Sequence, residues 1–341
     1  MNPKYLLLSS DMQLSIIIIN FNTPEYTIGC LNSIKLHAQR FNFSYEIVLI
    51  DNAPKQDNKA QFESCVPSLN YIKSDLNIGF GRANNLGMEA AIGKYFLLLN
   101  SDTILIDDSL NNCISYMEQD KEEKTGLLGC KLLNEDLSYQ HSFYPFVQNT
   151  LLNYFKGNNP LLSKIYNTNR LFKESSETIK VGDVSGAFML LRRSVFQSLN
   201  GFDPDFFLYC EETEWCRNRI GKHYDIVYYP HSQIVHFGGK SAPREPMLVQ
   251  SAISEYLFWY KCGMSKYLLF IFFNSVNLLY FFLQYPFTKS QNKASVFGFI
   301  RRYFKAVPYW LFNIPAYKNK FSARKEALIY EGARAIFFDK Q

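Results

Sequence analysis

The stretch Tyr95-Phe-Leu-Leu-Leu-Asn-Ser-Asp-Thr103 decides how this chain is read. It is an apolar run of strand length that stops abruptly on Asn100, Ser101 and Asp102. A buried strand ending on a carboxylate puts negative charge at the lip of a sheet. Open α/β folds bind ligands at that lip, and a divalent cation can be held there against a diphosphate. The reading then depends on a nucleotide pocket before this strand and a catalytic carboxylate after it.

Upstream, strand and helix alternate. Residues 15–21 (Ser-Ile-Ile-Ile-Ile-Asn-Phe) are β-branched and unbroken, as in a buried parallel strand. Thr23-Pro24 opens a helix expected to reach about Ala38, with Thr23 as N-cap and Pro24 in the first turn. Residues 45–51 read as a second buried strand, again ending on an acid, and 69–73 as a third. Asn77 to Gly87 is a Gly/Asn-rich entry to a helix ending near Gly93, and 95–100 is the fourth strand. The alternation predicts a doubly wound α/β sheet.

Downstream, 107–119 reads as a helix and 125–133 as a strand. From 134 to 179 periodicity fades, with Pro145 and Pro160, as in a substrate loop. A strand is expected over 181–192, crossing Ser185-Gly186-Ala187, then a short helix at 194–199. A helix follows over 211–220 and a strand over 226–229.

The chain has 341 residues, 47% of them hydrophobic, with 30 Phe and 23 Tyr. That aromatic load fits a carbohydrate or membrane-surface partner, or equally a codon bias toward Phe and Tyr. Net charge is +5, but residues 289–341 carry eleven Lys/Arg against three acids, leaving the rest at −3. A basic, aromatic tail suits an anionic membrane surface. Nucleic acid is not expected, because no recognition motif accompanies the charge. The seven cysteines are odd in number and lack any C-x-x-C pair, so neither zinc nor disulfides are indicated and a reducing cytoplasm fits. The apolar run at 5–8 is too short for a signal peptide. Residues 267–286 approach the ~20 needed to span a bilayer. Asn274, Ser275, Asn277 and Gln284 within them favour an interfacial or packed helix over a span.

Residues at the carboxyl ends of adjacent parallel strands converge on one crevice. Here they are Asn20 and Asn22, then Asp51 and Asn52, then Asn100, Ser101 and Asp102. Asp51 can accept from the N3–H of a pyrimidine base, beside Asn22; a helix N-cap is its plainer reading. Gly79, Phe80 and Gly81 allow close approach to a sugar or phosphate, with Asn84 and Asn85 following on the helix; an ordinary turn is the alternative. Further on, Glu211, Glu212 and Glu214 open a helix, where the dipole alone favours acids. Aromatic surroundings can raise the pKa of Glu211 or Glu212 into the range of a general base, and Glu214 fits a loop-fixing partner of an arginine. His236, before Gly238-Gly239, can ligate a metal or contact a diphosphate; a lone histidine is more often structural. The paired glycines suit a closing loop.

The order of motifs is itself informative. Ile-Ile-Ile-Asn-Phe-Asn, Val-Leu-Ile-Asp-Asn, Asn-Ile-Gly-Phe-Gly-Arg-Ala-Asn-Asn and Leu-Leu-Leu-Asn-Ser-Asp-Thr come first. Val-Ser-Gly-Ala-Phe-Met-Leu-Leu-Arg-Arg, Gly-Phe-Asp-Pro-Asp-Phe-Phe-Leu-Tyr-Cys-Glu-Glu-Thr-Glu-Trp-Cys-Arg and His-Phe-Gly-Gly-Lys-Ser follow. Over residues 13–245 this resembles the family 2 inverting glycosyltransferases of the GT-A fold, in particular the bacterial rhamnosyltransferase-like branch. The resemblance implies a doubly wound, mixed and mostly parallel sheet flanked by helices over residues 1–246. Residues 247–341 are expected to form a helical, membrane-associating appendage.

The resemblance also implies sugar transfer from a nucleotide diphosphate donor, with Mg²⁺ or Mn²⁺. Asp102 then matches the metal-binding Asp of the D-x-D motif, with Asn100 at its first position, and Asp51 the base-contacting acid. Glu212 stands for the Asp that serves as general base, one methylene longer, with Glu211 as the alternative. His236 completes the metal and diphosphate site, and Gly186 and Ala187 shape the sugar pocket. The branch suggests dTDP-rhamnose, with UDP-linked sugars open, and a saccharide or lipid-linked acceptor in O-antigen, capsule or other surface polysaccharide synthesis. The expected place is the cytoplasmic side of the inner membrane. A degenerate transferase that only binds sugar nucleotide, and a sugar nucleotidyltransferase, are the competing readings. The second lacks the Gly-rich, basic loop it needs after the first strand.

Overall fold

The computed structural model describes residues 12–145, 174–239 and 244–312. In it β1 (Leu14–Asn20) lies parallel between β2 (Tyr45–Asn52) and β4 (Tyr95–Asn100), and β3 (Asn70–Ser74) extends the sheet beyond β2. The pleat explains the unbroken apolar runs. Leu14, Ile16 and Ile18 enter one core, with Tyr95, Leu97 and Leu99 of β4. Ile17, Phe96 and Leu98 enter the core on the opposite face. A strand covered on both faces must be apolar at every position.

Helices α1 (Pro24–Ala38), α2 (Lys59–Cys65), α3 (Phe80–Ala90) and α4 (Ser109–Gln119) link the strands. Thr23 stands at the N-cap of α1, but its side chain makes no capping bond. Asn20 Oδ1 takes that role instead, accepting from Thr23 N at 3.3 Å and Thr27 Oγ1 at 2.8 Å.

Beyond β4 the sheet turns mixed. Its order is β3-β2-β1-β4-β11-β6-β12-β5, where β5 is Thr103–Leu105, β6 Thr125–Leu133, β11 Phe188–Arg192 and β12 Asp225–His236. β11 runs antiparallel to β4 and β6, and β12 parallel to β6. The short strands β7 (Tyr139–Gln140) and β9 (Ile179–Lys180) pair with β6 and β12.

Three expectations are corrected. The single strand over 181–192 is broken: β10 (Asp183–Val184) pairs with β8 (Phe143–Tyr144) in a separate two-stranded sheet. Ser185 turns the backbone, its carbonyl accepting from Phe188 N, before β11 begins. The strand expected over 226–229 continues to His236. After α5 (Arg193–Leu199), the helix expected over 211–220 is α-helical only in α6 (Glu211–Glu214); a π-turn (Trp215–Arg219) and a 3₁₀ turn follow.

The change of character expected at 247 falls in the first turn of α7 (Arg244–Lys261). With α8 (Met264–Gln284) and α9 (Ser290–Phe312) it forms a helical layer. Its core of Tyr256, Trp259, Tyr267, Phe270 and Tyr303 also takes Phe206 from the sheet domain. The apolar segment Met264–Phe287 is long enough to cross a membrane by length and composition. Asn274 and Asn277 are buried within the layer, whereas Leu268, Phe272, Leu279, Phe282 and Leu283 are exposed. The run at 5–8, residues 146–173 of the weakly patterned stretch, Lys240 and Ser241, and the basic residues beyond 312 lie outside the described residues.

Candidate active site

A cavity of about 310 Å³ opens at the carboxyl ends of β1 and β4. Eleven of the expected site residues line it: Asn52, Gly79, Phe80, Asn100, Ser101, Asp102, Gly186, Ala187, Glu211, Glu212 and His236. Gly186 and Ala187 reach it because the backbone bends at Ser185 instead of continuing as strand.

β12 runs antiparallel to β5 and sets His236 opposite Thr103, one residue from Asp102. Phe237 N donates to the Asp102 carbonyl at 3.0 Å, which locks the two chain segments together. His236 Nε2 then lies 3.3 Å from Asp102 Oδ1 and 3.2 Å from Asn100 Nδ2. Its Nδ1 is 2.6 Å from Gln140 Oε1. An amide oxygen only accepts, so a proton sits on Nδ1, and in the neutral imidazole that leaves the Nε2 lone pair facing Asp102. Gln140 is itself held, its Nε2 donating to Asn134 Oδ1 at 2.9 Å and to the His236 carbonyl at 3.0 Å.

This donor set fits a divalent cation. Adjacent ligands around an octahedral ion at about 2.1 Å stand about 3 Å apart, close to the Asp102–His236 separation. Among the described residues no group of three or more His, Cys, Asp or Glu side chains could hold a metal. The described residues thus offer a pair, Asp102 and His236, and an ion there would need further oxygens to complete its shell.

The acids approach from the other wall. Tyr209 and Cys210 both adopt left-handed backbone conformations, φ 71° and 65°, immediately before Glu211. Such strain in non-glycine residues concentrates at functional sites. The Oε2 atoms of Glu211 and Glu212 are buried with no hydrogen-bond partner. Charge there is costly. Burial pushes Glu212 up to about 7, opposed by a backbone hydrogen bond and reinforced by the charge of Asp183. Burial, and then the neighbouring Glu212, push Glu211 well above the carboxylate range. Glu214 is differently engaged: Arg219 Nη2 donates to its Oε2 at 2.6 Å and Arg219 Nη1 to the Gly201 carbonyl at 2.6 Å. It fixes the loop, as the sequence suggested.

Five residues are placed differently from expectation. Asp51 is fully buried and does not line the cavity. Its Oδ1 accepts from Asn20 Nδ2 and its Oδ2 from Tyr71 Oη, both at 2.7 Å. Asn20 is its ladder partner on β1 and is buried with it. The pleat instead turns the next residue, Asn52, into the cavity. There Asn52 Oδ1 accepts from Ile78 N at 2.9 Å, and its Nδ2 donates to Asn77 Oδ1 at 3.0 Å. Asn22 accepts from Lys55 N at 2.9 Å and closes the loop after β1. Asn84 caps back to the Phe80 carbonyl at 3.0 Å. Asn85 clamps Phe202 N and Phe202 O, both at 2.8 Å. Both asparagines thus tie structure rather than line the cavity.

Gly79 is required for a related reason: its φ is +80°, and an added Cβ would lie 2.2 Å from the Phe207 carbonyl oxygen. Sequence reasoning missed Gln140, Asn77, Phe207, Tyr209 and Asp183. Gln140 lies in the unpatterned stretch and gave no signal. Asn77, beside the glycines, and Phe207 and Tyr209, before Glu211-Glu212, sat within motifs already singled out, and Asp183 lay one residue ahead of another.

The sequence profile described as glycosyl transferase family 2 matches residues 15–199. The chain is 26% identical over 236 residues to rhamnosyltransferase WbbL of Escherichia coli (strain K12), covering 65% of this chain and 82% of that protein. It is 24% identical over 255 residues to an N-acetylglucosaminyl-diphospho-decaprenol L-rhamnosyltransferase of Mycobacterium tuberculosis (strain CDC 1551 / Oshkosh), covering 68% and 78%. Among solved structures it resembles a mannosyltransferase, PcManGT, from Pyrobaculum calidifontis in complex with GDP-Man and Mn²⁺. There the TM-score is 0.50, with 13% identity and coverage of 97% of this chain and 82% of that one. GalNAc-T7 with UDP, GalNAc and Mn²⁺ superposes with a TM-score of 0.53 at 16% identity, over 74% of this chain and about half (49%) of that chain. These two likenesses concern the fold.

Proposed function

The chain belongs to glycosyl transferase family 2, and from that premise we propose that it moves a sugar from a nucleotide diphosphate donor to an acceptor hydroxyl with inversion. The observation that carries the reading is the meeting of Asp102, His236 and Glu212 on one cavity. A sugar hydroxyl is a poor nucleophile at neutral pH. Glu212, held near neutral pKa by burial, takes its proton as the oxygen attacks the anomeric carbon. Glu211, which burial and then the neighbouring Glu212 push well above the carboxylate range, is the poorer base, and Glu212 takes that role. At Gly186 an added Cβ would touch the Phe80 ring and approach the Glu212 carboxyl, so its lack of a side chain keeps that space for the sugar ring.

Asp102 and His236 Nε2 would hold a divalent cation, with Gln140 fixing the tautomer. That cation would offset charge building on the leaving diphosphate. The imidazole favours Mn²⁺ over Mg²⁺, which prefers an all-oxygen shell. The structural relatives solved with Mn²⁺ and UDP or GDP-Man support the same reading.

Rhamnosyltransferases among the relatives, one named for a diphospho-decaprenol acceptor, favour dTDP-L-rhamnose and a lipid-linked saccharide of cell-envelope polysaccharide. The exposed apolar face of α8, with Lys289, Lys293, Arg301 and Arg302 following it, suits the anionic cytoplasmic face of a membrane. The test is a panel of nucleotide sugars, with and without Mn²⁺, scored by thermal shift and then by transfer. Metal-dependent stabilisation by dTDP-L-rhamnose is expected. No stabilisation by any nucleotide sugar, with Mn²⁺ present, would sink the proposal.

A further inference from the structure

Residues 203–210 lead directly into Glu211 and Glu212, and much of their anchorage lies on the C-terminal helices rather than on the sheet. Phe206 is fully buried among Tyr256, Trp259, Tyr267 and Phe270. Ser254 Oγ donates to the Leu208 carbonyl at 2.7 Å. Lys261, the last residue of α7, pairs with Asp203 Oδ2 at 2.7 Å and also with Asp205. From the opposite side, Phe80 N donates to the Phe207 carbonyl at 2.9 Å, and Arg82 Nε to the Pro204 carbonyl at 2.7 Å.

The segment is thus a strap stretched between α3 and α7. It lines the cavity through Phe207, Leu208 and Tyr209. Its last two residues are the left-handed Tyr209 and Cys210, a conformation that persists only when the surroundings enforce it. Asp203 and Asp205 repel each other, and a single ammonium with three donors answers both.

We propose that Lys261 is a positioning residue for sugar transfer: its two ion pairs fix the strap, and the strap sets where Glu211 and Glu212 stand. The proposal rests on the reading of Glu212 as the base. A displacement of about 1 Å in a reacting group costs on the order of 100-fold in rate. The anchoring helices therefore bear on catalysis as well as on attachment.

The experiment uses the full chain as wild type, Lys261→Met, Lys261→Arg and the charge-free triple variant Asp203→Asn/Asp205→Asn/Lys261→Met. Hydrogen exchange is read without substrate. Turnover is read with dTDP-L-rhamnose, Mn²⁺ and a short-chain N-acetylglucosaminyl diphosphate lipid. In Lys261→Met, amides of 206–214 are expected to exchange at least about tenfold faster while those of β4 keep wild-type rates. kcat should fall about 10- to 100-fold with the donor KM within about twofold. Lys261→Arg should restore both, and the triple variant should fold yet keep the kcat defect.

A folded Lys261→Met or triple variant with wild-type exchange over 206–214, or with wild-type kcat, overturns the proposal. If Lys261→Met does not fold, the triple variant decides by the same criteria. Glu212→Gln run alongside separates the two readings. Turnover surviving there refutes the base assignment, while the exchange result judges the strap by itself.

Discussion

His236 Nε2 stands 3.3 Å from Asp102 Oδ1, although Asp102 lies in the turn between β4 and β5 and His236 at the far end of β12, distant in the chain. The contact follows from sheet topology. β12 returns antiparallel to β5, so the histidine at its end faces the residue that follows Asp102. Under the proposed function it is the pair, rather than either residue alone, that would hold the cation.

Replacing either member should therefore impair the response to metal rather than donor binding alone. Asp102→Ala is expected to lower Mn²⁺-dependent transfer by at least about 100-fold, and His236→Ala to raise the Mn²⁺ concentration for half-activity by about 10- to 100-fold. A Mn²⁺ titration of initial rate after EDTA treatment checks both. Unchanged titrations would mean that this corner of the cavity holds no metal.

Gln140 acts one bond further out. Its Oε1 holds His236 Nδ1 at 2.6 Å, so Gln140→Leu should free the imidazole to rotate or change tautomer. Partners of metal-bound histidines are worth about 10- to 100-fold in metal affinity. The expected outcome is a raised Mn²⁺ requirement with kcat at saturating Mn²⁺ within a few-fold of wild type. Equal Mn²⁺ affinity in the variant would assign Gln140 to loop structure only.

Glu212 and Glu211 should part company under mutation and pH. With Glu212 titrating near 7, kcat/KM should fall about tenfold per pH unit below that value, as the base becomes protonated. Glu212→Gln should remove that limb together with at least about 100-fold of the rate. Glu211→Gln removes a carboxyl that burial and Glu212 push well above the carboxylate range and should cost less than about tenfold. The stability consequence has a definite sign. A carboxyl whose folded pKa is raised stabilises the protein fully below its unfolded value, near 4.5, and that contribution is lost as pH rises through about 7. Glu212→Gln should thus melt no lower than wild type at pH 8. A lower melting temperature there would show that the ionised carboxylate has a partner in solution.

Gly79→Ala tests the strap from the α3 side. The added methyl would lie 2.2 Å from the Phe207 carbonyl oxygen, at a φ of +80°. Strain plus overlap should destabilise by about 2–4 kcal/mol, read as a lower urea midpoint with unchanged slope. A midpoint within error of wild type would show that the two loops part easily.

Replacing Leu268, Phe272 and Leu279, all more than half exposed on α8, by serine should weaken binding to vesicles of anionic phospholipid. Each removed side chain exposes less apolar surface to bury, at about 1.5–3 kcal/mol for full burial. Co-sedimentation at low and high salt separates this term from the charge of the flanking lysines and arginines. Wild-type co-sedimentation by the triple serine variant would assign this face to another partner.

Periodicity and punctuation were enough to read β1 to β4, α1, α3, α4 and β6 of the sheet domain. Strands buried on both faces must be apolar throughout, so β1, β2 and β4 announced themselves, as did Thr125–Leu133, and the acid at the end of β4 marked the lip. The ordered motifs also carried the family, and the match over residues 15–199 shows it. These features are local: each depends on a few neighbouring residues and on which faces are covered.

Tertiary structure decided which polar residues face the cavity. Asp51 and Asn52 are neighbours in sequence, but the pleat sends the first to Asn20 and Tyr71 and the second to the site. Asn84 and Asn85 sit beside a glycine loop, yet the turn of α3 commits them to Phe80 and Phe202. Gln140 meets His236 only because β7 pairs with β6 beside β12. The break at Ser185 and the π-turn after Glu214 depend on what packs across them, which no local window contains. Hydrophobic pattern is set by burial of a face, and the chain displays it directly. The aim of a single polar side chain is set by register, pleat and the return path of distant strands, and only the folded molecule fixes those.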